Sequence, residues 1–422
     1  MLAALASIRV TREDAPVKPP PPTELLDRVR ALPAGGPLMR RLGDEPGAYL
    51  VGGAVRDLLL GGEPFDLDLV VEREAAALAS RLGGEAVVHD RFGTSTVTVD
   101  GFSYDIARAR TETYSRPGAL PDVAPATLAE DLIRRDFSVN AIAVALGGPA
   151  AGETRSVPSA LEDLDAGLLA VLHERSFIDD PTRLLRLARY RSRLGFEIAP
   201  HTRELVDAAI KANALDTVTG PRVGTELRLL AREQDPLGAL RVLRELALDT
   251  AIHPLFGLDD EQLARRALEL LPEDGRRDRL ALALAASRIP AEELASLLDA
   301  LGFGADDREA IVPAATTGRA LAEALAGAER PSQIAQAAFG AGPELVALAG
   351  ALGPARAARE WLDRLREMAL EIDGRDLLAA GVPEGPAIGR GLRGALAAKL
   401  DGCAEGREAE LAAALEASRA TG

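Results

Sequence analysis

The pattern of apolar positions changes character once along the chain. Between about Glu24 and Val144, short apolar or alternating runs recur at Tyr49 to Val51, Phe65 to Val71, Glu85 to His89, Thr94 to Val99 and Phe102 to Ala107. Runs of that length read as strands, and Ala54 to Leu60 between the first two reads as a helix, so this segment is one α/β domain. After Leu161 the strands vanish, and Ala, Leu and Arg recur at helical spacing nearly to the end. Breaks near Asp216 to Pro221, Gly340 to Pro343 and Gly381 to Pro386 separate successive helical parts, with no fixed-period repeat. Ahead of the first domain, Thr11 to Thr23 contains four consecutive prolines, Pro19 to Pro22, and reads as an extended tether.

A length of 422 residues allows two to four compact units and a large core. The net charge of −16 argues against coating nucleic acid by bulk electrostatics, so any polynucleotide contact falls on local basic surfaces. Lys18, Lys211 and Lys399 are the only lysines among many arginines, a bias that carries no functional reading. Cys403 stands alone, which excludes an intramolecular disulfide and a cysteine zinc site and makes a reducing cytoplasm the default. The apolar run Met1 to Ile8 lacks a basic leader and is too short for a signal peptide, and no segment approaches a membrane span.

The chemistry begins at Gly52-Gly53-Ala54-Val55-Arg56-Asp57, followed by Asp66-Leu67-Asp68. A glycine turn leading from an apolar strand into a helix offers backbone N–H groups to phosphate, and Arg56 adds a charged fork. On an extended strand Asp66 and Asp68 point to one face about 6.6 Å apart, with Phe65, Leu67 and Leu69 on the buried side. Two divalent cations shared by such a pair, roughly 3.5 to 4 Å apart, would activate a hydroxyl and stabilise leaving pyrophosphate. Each half alone is common in unrelated proteins; their succession points to nucleotide addition.

Asp105, between Tyr104 and Ile106 on a later strand, is either a third ligand or base of this cluster or a solvated strand-end carboxylate. Ala107 to Pro125, with Arg108, Arg110, Arg116 and three prolines, reads as a long flexible loop beside the site. In Arg134-Arg135-Asp136-Phe137-Ser138-Val139-Asn140-Ala141, Asp136 is placed to hold one arginine while the other faces phosphate or sugar, and Asn140 either bridges loop to strand or is structural. Between Arg175 and Arg193 the local net charge is +4, and steps of three set Asp180, Arg183, Arg186 and Arg189 along one flank of a helix that starts near Pro181. Asp180 accepting an exocyclic amine and Arg183 donating to a ring nitrogen would admit C and A and reject U and G, each mismatch costing about 1 to 3 kcal/mol. Arg186 and Arg189 are then free to reach phosphate or to support the pair.

These motifs resemble those of class II tRNA nucleotidyltransferases, the CCA-adding enzymes, in the superfamily shared with bacterial poly(A) polymerases. The likeness covers roughly Tyr49 to Phe196: Gly52 to Asp57 with Asp66 to Asp68 match the first motif, Arg134 to Ala141 the second, Leu161 to Leu169 the third, Asp179 to Arg183 the fourth and Arg222 to Glu226, more loosely, the fifth. Asp179 departs from the family's usual Glu. The resemblance implies an α+β fold: a polymerase-beta-like α/β head with a mixed sheet, then all-α neck, body and tail. The corresponding boundaries are a tether at 1–22, head at 23–146, neck at 147–215, body at 216–342 and tail at 343–422. It also implies metal at Asp66 and Asp68, with two Mg2+ expected, catalysis by these and Asp105, and nucleotide contacts at Gly52, Gly53, Arg56, Arg135, Asp180, Arg183, Arg186 and Arg189. The implied activity is untemplated addition of CCA to tRNA 3′ ends from CTP and ATP, in the cytoplasm, with no membrane or protein partner. Addition of A alone, or poly(A) synthesis, stays open, whereas the long 107–125 loop disfavours addition of C alone. A catalytically silent RNA-binding module would need the carboxylates to have decayed. Gly381 to Gly389, followed by Arg390, Arg393 and Lys399, resembles the family's glycine-rich tail element. His89, His173, His201 and His253 show no clustering of the kind an appended phosphohydrolase needs.

Overall fold

The computed structural model describes residues 18–89 and 93–419. The first seventeen residues of the expected tether lie outside the described residues, and a helix already starts at Pro22, inside it. The chain packs as two compact units: one running to Asp235 and taking back Glu245–Ala251, the other formed by Pro236–Arg244 and the residues from Ile252 onward. A division into head, neck, body and tail is finer than this packing.

The first unit is built on strands β1 (Ala48–Val51), β2 (Leu67–Val71), β3 (Glu85–His89), β4 (Thr94–Val99), β5 (Phe102–Arg108), β6 (Arg110–Thr113), β7 (Asp122–Pro125), β8 (Ile142–Ala145) and β9 (Thr154–Ser156). Seven of them make one sheet in the order β3-β4-β5-β2-β1-β8-β9. It is mixed, because β2 and β5 run parallel while the other neighbours are antiparallel. β1 and β8 are buried at every position, as strands covered on both faces should be. On β5, Tyr104 and Ile106 turn into the core, and the Tyr104 hydroxyl donates to the Ala34 carbonyl at 2.6 Å, anchoring the sheet to the N-terminal helices.

Helices of this unit are α1 (Pro22–Ala31), α2 (Gly35–Leu42), α3 (Gly53–Leu59), α4 (Ala75–Leu82), α5 (Leu128–Ile133), α6 (Ala160–Ala166), α7 (Ser176–Asp179), α8 (Thr182–Leu194), α9 (Pro200–Lys211) and α10 (Gly220–Ala231). α4 lies against β4 and β5, burying Leu78, Ala79 and Leu82. α8 packs on α10, with Leu184, Leu185, Leu187 and Ala188 inward.

Three expectations need correction. Strands do not end at Leu161: Leu168–Leu169 pairs in parallel with Glu197–Ile198, each too short to show a period. Ala107 to Pro125 is no open loop, because β6 and β7 pair antiparallel as a hairpin, from Arg110 opposite Pro125 to Thr113 opposite Asp122. Its strands lie near the surface and carry no alternation of apolar and polar positions, so pairing rather than burial defines them. Phe65 is 60% exposed and precedes β2, so only Leu67 and Leu69 turn inward.

The helices continue with α11 (Pro236–Glu245) in the second unit, α12 (Leu248–Ile252), most of which returns to the first, and then, in the second, α13 (Glu261–Leu270), α14 (Arg277–Ala285), α15 (Ala291–Ala300), α16 (Ala305–Ala326), α17 (Pro331–Ala337), α18 (Pro343–Ala351), α19 (Ala355–Asp363), α20 (Gly374–Ala379), α21 (Pro386–Leu400) and α22 (Arg407–Arg419). α18 is buried along its whole length and is wrapped by α13, α16 and α19. Farther on, Ile372, Leu377, Val382, Ala395 and Ala414 form the separate small core of α20 to α22. Among the described residues no helix is long and apolar enough to cross a membrane.

Candidate active site

The turn after β1 is possible only for glycine at its first position. Gly52 has φ +70°, and its N–H donates to the Ile142 carbonyl at 3.1 Å, tying the turn to β8. A Cβ there would sit 3.2 Å from Nη1 of Arg135, so that guanidinium lies over the bare turn. Asp131, fully buried on α5, accepts from both Arg134 (2.6 Å) and Arg135 (2.9 Å), the partners that i+3 and i+4 spacing supplies. Burial opposes ionisation of Asp131, yet the two guanidiniums hold its carboxyl below the ordinary range. Asp131, not Asp136 as the sequence suggested, is therefore what holds the Arg134-Arg135 pair. Nε of Arg135 is buried without a hydrogen-bond partner among the described residues.

Register places the carboxylates. Asp66 lies just before β2, and Asp68 on β2 is directly opposite Asp105 on the parallel β5, both on the open face. Thr96, opposite Asp105 on β4, donates to it at 2.6 Å and fixes its rotamer. Asp68 meets solvent across the cleft, but the protein around it strips hydration, and this first, then repulsion from Asp105, raises its carboxyl above the ordinary range. Arg135 and Arg186 pull it down and Asp66 pushes it up, so all five side chains share one field. A crowded set of hard oxygen donors on one face suits a divalent cation. Among the described residues no three such side chains close into a complete metal cage, so phosphate and water would have to finish any coordination shell.

Asp136 has a different task. It is buried and accepts from Nε and Nη2 of Arg186, at 2.9 and 2.5 Å, and from the Asn140 amide at 3.1 Å. Burial opposes the charge, but Arg186 and Asn140 hold the Asp136 carboxyl far below the usual carboxylate range. Asn140 also accepts from Arg56 at 2.7 Å, so it bridges α3 to Asp136. Arg56 itself is 1% exposed, paired with Asp57 at 2.7 Å and stacked on the Tyr190 ring at 5.4 Å. It is a support of the glycine turn and not the open phosphate fork read from the sequence. Nor are Arg186 and Arg189 free. Arg186 is clamped by Asp136, and Arg189 is buried over Tyr190 beside Glu226 (3.5 Å) and Glu233 (3.9 Å).

At the start of α8, Asp180 accepts with Oδ1 from the Thr182 hydroxyl (2.6 Å) and from Arg222 on α10 (2.8 Å). Its Oδ2 has no hydrogen-bond donor among the described residues. Arg183 is 5% exposed and donates to the Ser176 hydroxyl and to the Arg134 carbonyl, both at 2.7 Å, which fixes the plane of the guanidinium. The hairpin docks here: Arg222 donates to the Gly118 carbonyl at 2.8 Å, and a Cβ on Gly118 would strike Thr217 at 2.3 Å. Tyr114 at the end of β6 donates to Glu112 at 2.9 Å, and Glu112 pairs with Arg134 at 2.9 Å. Sequence reasoning missed Asp131, Thr96, Glu112 and His173. It had Arg222 and Glu226 only through a loose motif, because α10 shows no periodic sign of the contacts they make.

The family model described as the poly(A) polymerase head domain matches residues 48–170. An A-adding tRNA nucleotidyltransferase of Geobacter sulfurreducens is 33% identical over 94% of this chain, and the chain spans only about half of that relative's length, 49%. A CC-adding tRNA nucleotidyltransferase of Deinococcus radiodurans is 37% identical over 84% of this chain and 85% of its own. The solved Thermotoga maritima CCA-adding enzyme complexed with tRNA-CCA superposes with a TM-score of 0.72 at 28% identity, covering 93% of this chain and 98% of that one. With the carboxylates of β2 and β5 and the Asp180 helix start assembled in one unit, these similarities make the chain a member of the tRNA nucleotidyltransferase family.

Proposed function

We propose that this protein adds nucleotides to the 3′ end of tRNA without a template, completing CCA from CTP and ATP and releasing pyrophosphate. Enzymes of this family generally use divalent metal ions. The observation that carries the reading is the pairing of Asp68 with Asp105 across β2 and β5, close enough to Arg186 of α8 that the carboxylates and the base-reading helix share one electrostatic field. Two cations, Mg2+ in this reading, held by Asp66 and Asp68 would supply hydroxyl activation and charge neutralisation of the leaving pyrophosphate.

The chain's own groups do the rest. Arg135 and the Gly52-Gly53 turn receive the triphosphate, Asp105 is third ligand or base, and the tRNA hydroxyl attacks the α-phosphate in line. Oδ2 of Asp180 accepts the amine shared by C and A, and Arg183 donates to the adjacent ring nitrogen. Arg56, Arg186 and Arg189 hold this arrangement from behind. The tail contributes tRNA contacts through the Gly381 to Gly389 turn and Arg390 and Arg393, and the protein works in the cytoplasm. A second reading, addition of the terminal A alone, is favoured by the match to the Geobacter A-adding enzyme along 94% of this chain.

The test offers purified protein tRNA lacking CCA, lacking CA or lacking only A, with each labelled nucleotide in turn, and sequences the products. CCA on all three substrates supports the first reading. Extension of only the last supports the second, and no incorporation into any tRNA refutes both.

A further inference from the structure

Resting on the base-reading role just proposed for Arg183, we infer that His173 is a positioning residue that holds the Arg183 guanidinium by accepting a hydrogen bond from it, and so makes base choice depend on an uncharged imidazole. Nη1 of Arg183 lies 3.3 Å from Nε2 of His173 and donates to Ser176 Oγ at 2.7 Å. A guanidinium only donates. The contact therefore requires a lone pair on Nε2 and places the imidazole proton on Nδ1. Protonating Nε2 replaces an acceptor by a donor and sets two cations 3.3 Å apart.

The surroundings leave that repulsion uncompensated. The charged groups facing His173 are Arg183 from α8, Asp179 from α7 and Arg175 just before α7. Asp179 is already paired to Arg175 at 2.9 Å, so those two largely cancel and Arg183 remains. Partial burial and then Arg183 push the imidazole below its ordinary range, which keeps it uncharged at neutral pH. Arg183 is held on its other side by the Arg134 carbonyl at 2.7 Å and is 5% exposed, so it has little room to retreat and must tilt when His173 becomes charged. Asp180 keeps its own ties to Thr182 and Arg222, so the pair loses registry and not merely strength.

The experiment measures kcat/KM for the matched nucleotide and for UTP and GTP, on tRNA substrates, from pH 5 to pH 8.5, in the wild-type protein, His173→Gln, His173→Lys and Arg183→Ala. The ratio of matched to mismatched rates cancels titrations common to all nucleotides, such as those at the metal carboxylates. Wild-type discrimination should fall on the order of tenfold toward the acid end of this range, on the acid side of the ordinary imidazole value of about 6.5, the loss expected for one charged hydrogen bond. His173→Gln, whose amide oxygen accepts at every pH, should show a flat ratio. His173→Lys should show the low wild-type ratio even at pH 8.5, and its melting curve reports whether it folds. Identical pH profiles for wild type and His173→Gln overturn the inference, whatever the lysine variant does. If Arg183→Ala leaves base choice unchanged, the base-reading proposal itself fails. If Arg183→Ala relaxes base choice while His173→Gln tracks wild type, only the role of His173 falls.

Discussion

Replacing Asp136 by Asn should cost about 3 kcal/mol of stability and disable base selection, although Asp136 touches no expected substrate atom. The side chain is 6% exposed and its two oxygens accept four hydrogen bonds, two from Arg186, one from the Phe137 N–H and one from Asn140. Asn keeps the shape but aims an amide donor at a guanidinium, leaving the Arg186 cation only the more distant Glu226 at 3.6 Å. Breaking a buried pair typically costs about 3 to 5 kcal/mol; the low end applies because 34% of the Arg186 side chain still meets solvent. The folded-state carboxyl of Asp136 is depressed, so its contribution is complete above the unfolded value near 3.9 and fades as pH falls toward the lower folded one. Urea unfolding at pH 7 and pH 3, followed by near- and far-ultraviolet circular dichroism, with Tyr49, Tyr104, Tyr114 and Tyr190 all in the first unit, measures both effects. The gap between wild type and Asp136→Asn should be wide at pH 7 and smaller by about 1 kcal/mol at pH 3, where the unfolded carboxyl is mostly protonated and the folded one still ionised. A double change, Asp136→Asn with Arg186→Met, should lose less than the two single changes together, because the stranded cation is gone. Equal midpoints at pH 7, or strict additivity, would refute the clamp.

Other substitutions probe the rest of the site. Asp68→Asn should abolish incorporation yet raise the melting temperature of the metal-free protein: folding lifts the Asp68 carboxyl above its ordinary value, so its charge is a cost at neutral pH that a neutral amide removes; a lower melting temperature would count against a crowded anionic cluster. Gly52→Ala should lose about 1 to 3 kcal/mol from strain at φ +70°, and nucleotide KM should rise as the new methyl displaces Arg135; chemical denaturation and steady-state kinetics check the two halves. Arg222→Met removes the ties to Gly118 and Asp180 together, so both proteolytic nicking after Tyr114 and incorporation of UTP should increase, measured by limited chymotrypsin digestion and single-nucleotide extension.

How far the sequence spoke depends on the range of the interaction. The strands at Thr94 to Val99 and Phe102 to Ala107 were legible because alternate burial imposes a short period, and Tyr49 to Val51 and Glu85 to His89 as short apolar runs, the first buried throughout and the second exposed from Glu85 to Val88. The pairing of Asp68 with Asp105 was not, since a parallel neighbour thirty-odd residues away leaves no local trace. The hairpin at 107–125 was read as a loop because its strands bury little and do not alternate, and its order comes from cross-strand bonds and from Arg222 holding Gly118. The arginines show the limit most clearly. Arg56, Arg135, Arg183, Arg186 and Arg189 carry the same charge in the sequence and all read as nucleotide ligands. Their partners separate them: Asn140 holds Arg56 across 84 positions and Asp136 holds Arg186 across 50, whereas Arg135 has an unpartnered Nε beside a bare glycine. Arg135 is also tied to a buried carboxylate, but through Nη2 alone; a guanidinium whose donors are all taken, as in Arg56 and Arg186, gains little from a phosphate. The motif thus encodes two layers, a few groups that can meet the substrate and a larger set that fixes them. Only the partners, most of them far away in the sequence, reveal which arginine belongs to which layer.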